Sequence, residues 1–359
     1  MVKRISNGNG VCHSATMRDV AEMVGVSQAT VSYVLNSKRD ARVSQETRQR
    51  VLDAAAVLRY RPNAIARAMA SGKSRTIGVY QPHVVESALS GMWSTRVTRG
   101  IGEALTQRNH HLLLFGYRES DEPHPSGFTD GRVDGLIILA PHEDDELPLQ
   151  LAMMDFPVVI IGGRCPEGPR AASIDVDNIL GARRAVEHLI RFGHRRIAHL
   201  MGPPNVPNAI DRRIGYECAM TAHGLAGEGD YLVPSSFQEE GGYRSTKQAL
   251  ARNARPTALF VSNDIAALGA LRACSELGLG VPDDVAVVGY DDSPVCLLAT
   301  PPLTTMRQPT DEMGRAAVEL IMKLKEGEAV ADRQQLFPPQ LVVRKSCGPH
   351  TISPREVME

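Results

Sequence analysis

Thr16-Met-Arg-Asp-Val-Ala-Glu-Met-Val-Gly-Val-Ser-Gln-Ala-Thr-Val-Ser-Tyr-Val-Leu-Asn36 decides the reading of the N-terminal part of the chain. Met17, Val20, Ala21 and Val24 recur at i, i+3, i+4 and i+7, which predicts a short amphipathic helix. Gly25 supplies a tight turn, Ser27 is placed to cap a second helix, and Val31, Val34 and Leu35 make the inner face of that helix. Two short helices joined in this way form a helix-turn-helix, a layout that presents its second helix to the major groove of DNA. The outer face of that helix carries Gln28, Ala29, Thr30, Ser32, Tyr33 and Asn36, groups able to reach base edges or phosphates.

Downstream, a basic loop over 37–43 precedes Ser44, a predicted N-cap for a third helix running to about Arg59. Val51, Leu52, Ala55 and Leu58 are its expected inner face, and Glu46 lies near its positive end. Pro62 halts that helix. The next eight residues, Asn63-Ala-Ile-Ala-Arg-Ala-Met-Ala70, favour helix but are too few to hold one alone, since isolated helices below about 12 residues are marginal in water. They read either as a hinge that folds only when held or as an ordinary interdomain linker. Gly72-Lys-Ser74 matches the end of a phosphate-binding loop, but the glycine needed five positions earlier is Arg67, which excludes that chemistry.

Charge is divided unevenly along the chain. Residues 1–75 hold thirteen Lys or Arg against five Asp or Glu, a balance of +8, while the remainder carries −9 of the total of −1. A basic first fifth coinciding with a helix-turn-helix pattern points to a polyanion partner at that end. The 43% hydrophobic composition and 359-residue length fit a globular protein of two or three domains. No run of about 18 apolar residues and no leader-like N-terminus is present, so a cytoplasmic location is predicted. Cys12, Cys165, Cys218, Cys274, Cys296 and Cys347 lack CxxC spacing and fit reduced thiols rather than disulfides or a zinc site.

From Thr76 onward, short apolar runs alternate with helical patterns: Ile77–Tyr80, Leu112–Phe115, Gly135–Leu139, Val158–Ile161, Ile197–Met201, Ala258–Ser262 and Val285–Val288. This is βαβ punctuation and predicts parallel sheets covered by helices, split near residue 175 into two similar lobes. Ligands of such folds sit beyond the carboxyl ends of the strands. The candidates there are Asn263 and Asp264 after one strand, Tyr290, Asp291 and Asp292 after another, and Arg212 with Arg213 after the Gly202-Pro-Pro loop. Each has a structural alternative: Asp264 or Asp292 as a helix cap, Arg213 in a surface ion pair, Trp93 and Phe237 in the core rather than on a cleft wall. His194 and His199 lack metal-ligand spacing, and neither a Ser/His/Asp motif, paired catalytic carboxylates nor a GxGxxG fingerprint emerges. These residues therefore predict a non-enzyme without cofactor or metal.

The chain resembles the lactose-repressor/galactose-repressor (LacI/GalR) family of bacterial transcriptional regulators from about residue 16 to 347. The resemblance rests on Asp19-Val-Ala-Glu, Gly25-Val-Ser-Gln-Ala-Thr-Val-Ser, Tyr60-Arg-Pro-Asn-Ala, Arg132-Val-Asp-Gly-Leu-Ile, Gly193-His-Arg-Arg-Ile, Ser262-Asn-Asp with Ala267-Leu-Gly, Val288-Gly-Tyr-Asp-Asp, Pro301-Pro-Leu-Thr-Thr and Leu341-Val-Val-Arg, in the family's order. It implies a small all-α helix-turn-helix headpiece at 16–62, a hinge helix and linker at 63–75, and a two-lobed α/β domain of the periplasmic-binding-protein-like (type I) class at 76–347. Residues 1–15 are then a disordered extension and 348–359 a tail.

The same resemblance implies that Gln28, Ala29 and Tyr33 read bases while Arg18, Ser27, Thr30, Ser32, Asn36 and Arg42 lie at or near phosphates. Asn63 opens the hinge, and Met69 stands where such hinges usually wedge a leucine into the minor groove. Many members carry arginine where this chain has Tyr33, which removes a bidentate guanine reader. For the cleft it implies Arg212, in the Arg-x-x-Gly pattern ending at Gly215, and Asp264 as effector contacts, with Phe237 and Trp93 as aromatic walls; Asn263 and Asp291 join them as the effector-binding candidates at the strand ends. The expected partners are a near-palindromic double-stranded DNA operator, a small-molecule effector such as a sugar, and a second copy of the chain in a homodimer, with no membrane. The alternative is a solute-binding or sugar-processing protein that uses the same two-lobed fold.

Overall fold

The side chain of Thr16 shows why the first helix of the N-terminal unit starts where it does. In the computed structural model, which describes residues 15–36, 43–63, 72–83, 91–116, 123–226 and 231–348, the Thr16 hydroxyl accepts the Asp19 N–H at 3.3 Å. The Asp19 carboxylate in turn accepts the Thr16 N–H at 2.7 Å, a reciprocal capping box. The first helix, α1, covers Met17–Val24 and ends at Gly25, whose φ of 75° is left-handed and cheap only for glycine. Helix α2 spans Gln28–Asn36, with the Ser27 hydroxyl accepting the Thr30 N–H at 3.1 Å. Helix α3 spans Gln45–Val57, capped by Ser44, which accepts the Thr47 N–H at 3.2 Å.

Val20, Ala21, Val24, Val31, Val34, Val51, Ala54 and Ala55 close the core of this unit. Two sequence expectations are corrected here. Leu52 is 42% exposed and Ala54 takes the inward position, because 51, 54, 55 and 58 make the i, i+3, i+4, i+7 stripe and 52 falls beside it. Helix α3 also ends at Val57, two residues before Arg59 and well before Pro62, with Arg59 at a φ of 53°. Arg50 donates to the Val24 carbonyl at 2.7 Å, occupying an acceptor that the end of α1 leaves open. The expected hinge residues 64–70, including Met69, and also Arg42 lie outside the described residues, as does the side chain of Asn36.

The second unit, from Arg75 onward, consists of two parallel-stranded lobes. The first sheet takes β1 (Thr76–Tyr80), β2 (His111–Phe115), β3 (Leu136–Leu139), β4 (Val158–Ile161), β5 (Ala171–Val176) and β11 (Gln334–Phe337), in the order β11-β5-β4-β3-β1-β2. The second takes β6 (Ile197–Leu200), β7 (Leu232–Val233), β8 (Ala258–Val261), β9 (Ala286–Asp291), β10 (Thr304–Arg307) and β12 (Gln340–Val342), in the order β12-β10-β9-β8-β6-β7. Every pairing is parallel except β10 with β12. Strands such as β3, β4 and β8 are buried along their whole length, because helices cover both faces, which is why they read as unbroken apolar runs.

The helices of this unit are α4 (Met92–Gln107), α5 (Leu147–Met153), α6 (Asn178–Arg191), α7 (Pro207–Ala222), α8 (Glu239–Leu250), α9 (Asp264–Glu276), α10 (Val295–Leu298) and α11 (Thr310–Glu326). The division near residue 175 marks only the first of three crossings between lobes. After β10 the chain returns as α11, whose Met313, Ala317, Val318 and Ile321 join the core of the first lobe beside Val97 and Ile101. It crosses again between β11 and β12. The carboxyl ends of strands from both sheets therefore face one cleft, and the segment between β10 and α11 passes beside it.

Candidate functional site

In the N-terminal unit the apolar side of α2 is committed to the core, which leaves its other side outward. Gln28 and Ala29 are exposed, and Thr30, Ser32 and Tyr33 are half-buried on the same helix. Ser27 is exposed at the helix start and its hydroxyl shares a hydrogen bond of 2.9 Å with that of Thr30. Arg18 is exposed on α1 and pairs with Glu22 at 2.8 Å, so a phosphate contact by Arg18 exchanges one anionic partner for another. Asn63 is exposed at the end of the described part of this unit.

In the two-lobed unit a cavity of about 400 Å³ lies between the lobes. Trp93, in the first turn of α4, lines the side of the first lobe, and Phe237, just before α8, lines the other. Phe237 approaches the backbone so closely that a Cβ at Gly202 would stand 2.5 Å from its ring, so only glycine fits there. Arg212, on α7, is 3% exposed. It donates to the Asn178 side-chain oxygen at 2.9 Å and to the Ser262 carbonyl, and its guanidinium sits 3.8 Å from the centre of the Tyr290 ring. Its remaining nitrogen lies 3.7 Å from Asp291.

Asp291 closes β9 with a φ of 114°, and Asp292 follows at 55°. Two successive non-glycine residues in the left-handed region store backbone strain where the strand must turn its carboxylate toward the cleft. Gln308 donates to Asp291 at 2.6 Å and accepts from the Trp93 indole at 3.1 Å, so one hydrogen-bonded chain runs from Trp93 through Gln308 and Asp291 to Arg212. Burial pushes the Asp291 carboxyl up to about 6 against the opposing pull of Arg212.

Asp264, expected to meet an effector, is not among the residues that line this cavity. It is fully buried, accepting the Ser293 N–H and the Thr305 hydroxyl at 2.7 Å and 2.6 Å, and burial pushes it up to about 7. Nor does it cap α9: that role belongs to Asn263, which accepts the Ala266 N–H at 2.8 Å and donates to the Phe237 carbonyl at 2.9 Å. Asn263 reaches the cavity wall, yet much of its polar capacity is spent fixing Phe237. Asp292 is held below the usual carboxylate range by Arg344 and Arg307, each at 2.6 Å.

Trp93, Arg212, Phe237, Asn263 and Asp291 thus converge on one cavity, while Asp264 stands outside its lining. Sequence reasoning missed Gln308, Asn208, Ser293, His83 and His142 on the same walls. The signal for Gln308 is its place three residues after the Pro301-Pro-Leu-Thr-Thr motif, but the intervening β10 is too short and polar to read as a strand. His199 sits in β6 between the rings of Tyr216 and Phe260, and burial pushes it down to about 4, which makes it a neutral core residue. Among the described residues no group of three ligands suits a metal ion, and no helix is long and apolar enough to cross a membrane.

Residues 16–63 match the family described as bacterial regulatory proteins, lacI family, and residues 186–347 match the periplasmic binding protein-like domain. The chain is 34% identical over 336 residues to the HTH-type transcriptional regulator CelR of Thermobifida fusca, covering 92% of this chain and 98% of that protein. It is also 34% identical over 331 residues to the ribose operon repressor of Escherichia coli strain K12, covering 90% and 97%. Among solved structures it is similar to a CelR–cellobiose complex, with a TM-score of 0.71, 32% identity and coverage of 92% of this chain and 99% of that one. A lac repressor dimer bound to operator and the anti-inducer ONPF gives a TM-score of 0.82, 31% identity and coverage of 93% and 99%.

Proposed function

The chain belongs to the lacI family of bacterial regulatory proteins, and on that premise we propose that it is a homodimeric repressor whose grip on a near-palindromic operator is set by a neutral sugar bound between its lobes. The observation that carries the effector class is the buried Arg212–Asp291 pair flanked by Trp93 and Phe237. A guanidinium and a carboxylate offer donors and acceptors side by side, which suits neighbouring hydroxyls. Aromatic walls cover the apolar faces of a sugar ring. The Asp291 carboxylate 3.7 Å away balances the Arg212 charge, so the pair suits an uncharged ligand better than a phosphate or carboxylate. The solved CelR relative holds cellobiose, and a LacI family regulator from Enterococcus faecium, similar to this chain at 26% identity with a TM-score of 0.68, holds ribose. Cellobiose and ribose are therefore the first sugars to test.

In this reading Gln28, Ala29 and Tyr33 read bases, and Arg18, Ser27, Thr30, Ser32, Asn36 and Arg42 hold phosphates. Residues 16–62 form the headpiece, 63–75 the hinge with Asn63 and Met69 at the minor groove, and 76–347 the effector domain. Hinge segments that order only on the right site link operator quality to folding. The cleft binds without turnover and without a cofactor, and the protein acts in the cytoplasm. A thermal-shift screen of cellobiose, ribose and related sugars tests the effector, because a ligand that binds the folded state at about 100 times its Kd adds about 2.7 kcal/mol to stability. Footprinting tests the output: a protected palindrome whose occupancy changes with the sugar supports the reading, and protection under no ligand condition overturns it.

A further inference from the structure

Besides the bond from Arg96 on α4 to the Asp292 carbonyl at 2.9 Å, two further contacts join the lobes through residues outside the three chain connections. Arg164, in the loop after β4, donates through both terminal nitrogens to Asp211 on α7, at 2.9 Å and 2.7 Å. Asn205, in the loop after β6, donates to the His142 ring at 2.9 Å, and its carbonyl accepts the Glu143 N–H at 2.9 Å. Arg164 and His142 belong to the first lobe, Asp211 and Asn205 to the second.

We propose that these two contacts form a clasp that sets how far the lobes open before any effector binds. None of the four residues lies on a covalent crossing between the lobes, so the contacts must break when the lobes part. The His142 side is held in place within its own lobe. Its ring stacks on His83 with centroids 3.6 Å apart and planes 3° apart, and Asp145 accepts both the His142 N–H at 2.7 Å and the His83 side chain at 3.0 Å. Burial, with His83, keeps the His142 imidazole below its ordinary value, which favours the neutral ring that can accept from Asn205. The Arg164–Asp211 pair has the two-pronged geometry that gives an exposed ion pair its directional strength.

The clasp gives the effector domain an adjustable set point: a sugar held between Trp93 of one lobe and Phe237 of the other favours the lobes together, as the clasp does, so a weaker clasp raises the sugar needed for the same response. This consequence rests on the cleft being the effector site, whereas the clasp itself is measured without effector. Trp93 is the only tryptophan and lines the cleft, so acrylamide quenching of its fluorescence in the full-length protein reports opening. R164E and N205A are expected to raise quenching, with the open-to-closed ratio shifting by up to about fivefold for the ion pair. The reversed pair R164E/D211R is expected to restore the original quenching, a recovery that a purely local packing role would not produce. Far-UV circular dichroism checks folding, and R164Q serves as the milder variant should R164E not fold. Single variants that quench like the original protein, or a reversed pair that fails to recover, would overturn the clasp. A failure of every sugar to bind leaves this result unchanged and counts only against the effector reading.

Discussion

The headpiece and the two-lobed unit solve opposite problems with their polar groups. In the headpiece a small core of valines and alanines fixes three helices, and the polar residues point outward, where DNA can meet them. In the lobes the polar residues that matter are inside: Arg212, Asp264 and Asp291 are buried and depend on one another. A reader of DNA needs rigid presentation, whereas a sensor of a small molecule needs charges withdrawn from water and held in place. The two units therefore fail differently when altered.

The largest effect is expected at the buried network. Arg212→Leu leaves Asp291 without its nearby cation and should destabilise the effector unit by about 3 kcal/mol, the cost of breaking a buried pair from one side. Urea unfolding of the full chain, followed by Trp93 fluorescence, measures it, and unchanged stability would break the contrast. Val51→Ala carries the matching loss for the headpiece: about 2 kcal/mol from the lost methyl groups and the cavity they leave, with DNA binding weakened and the thermal response to sugar intact. If both functions fall together, the two units are not separate in stability.

Stability should also depend on pH through the buried carboxylates of the lobes. Asp264, pushed up to about 7, keeps a proton in the folded state that the unfolded chain releases near 3.8. Its contribution to stability is thus complete below 3.8 and is lost as pH rises through about 7. Asp264→Asn should flatten the decline between pH 5 and 7, by up to about 1.4 kcal/mol per pH unit for one proton. Chemical denaturation across that window checks it, and an unchanged slope would assign the proton elsewhere. The smallest effect is at a cap: Ser27→Ala should cost about 1 kcal/mol, confined to the headpiece and measured by its thermal unfolding.

The contrast also explains what could be read from the chain. Helices α1 and α2 were legible because caps and apolar spacing are local, and β1, β3, β4 and β8 because buried parallel strands leave continuous Val and Ile runs. Strands β5, β10, β11 and β12 were not, since Ala171–Val176 is interrupted by polar residues, and Thr304–Arg307, Gln334–Phe337 and Gln340–Val342 are short and polar. Leu52 was misassigned by one position on a helix where about 100° per residue separates inside from outside. The site shows the same limit. Asp264 and Asp291 both stand at the carboxyl end of a strand, and spacing alone does not tell which carboxylate turns into the cleft. That choice depends on Thr305 and Ser293 capturing one and Gln308 the other. Gln308 itself acquires its role only because the chain crosses between lobes beside it.

The most direct test of a sensor coupled to a reader is a fluorescence-anisotropy titration of operator DNA at fixed salt, with and without the sugar that raises the melting temperature. The original protein is predicted to change operator affinity by about 5-fold to 150-fold on binding that sugar. Asp291→Asn is predicted to bind operator as before and to show no change. Equal sugar response in Asp291→Asn, or no response in the original protein at a saturating sugar concentration, would contradict the coupling of cleft to operator.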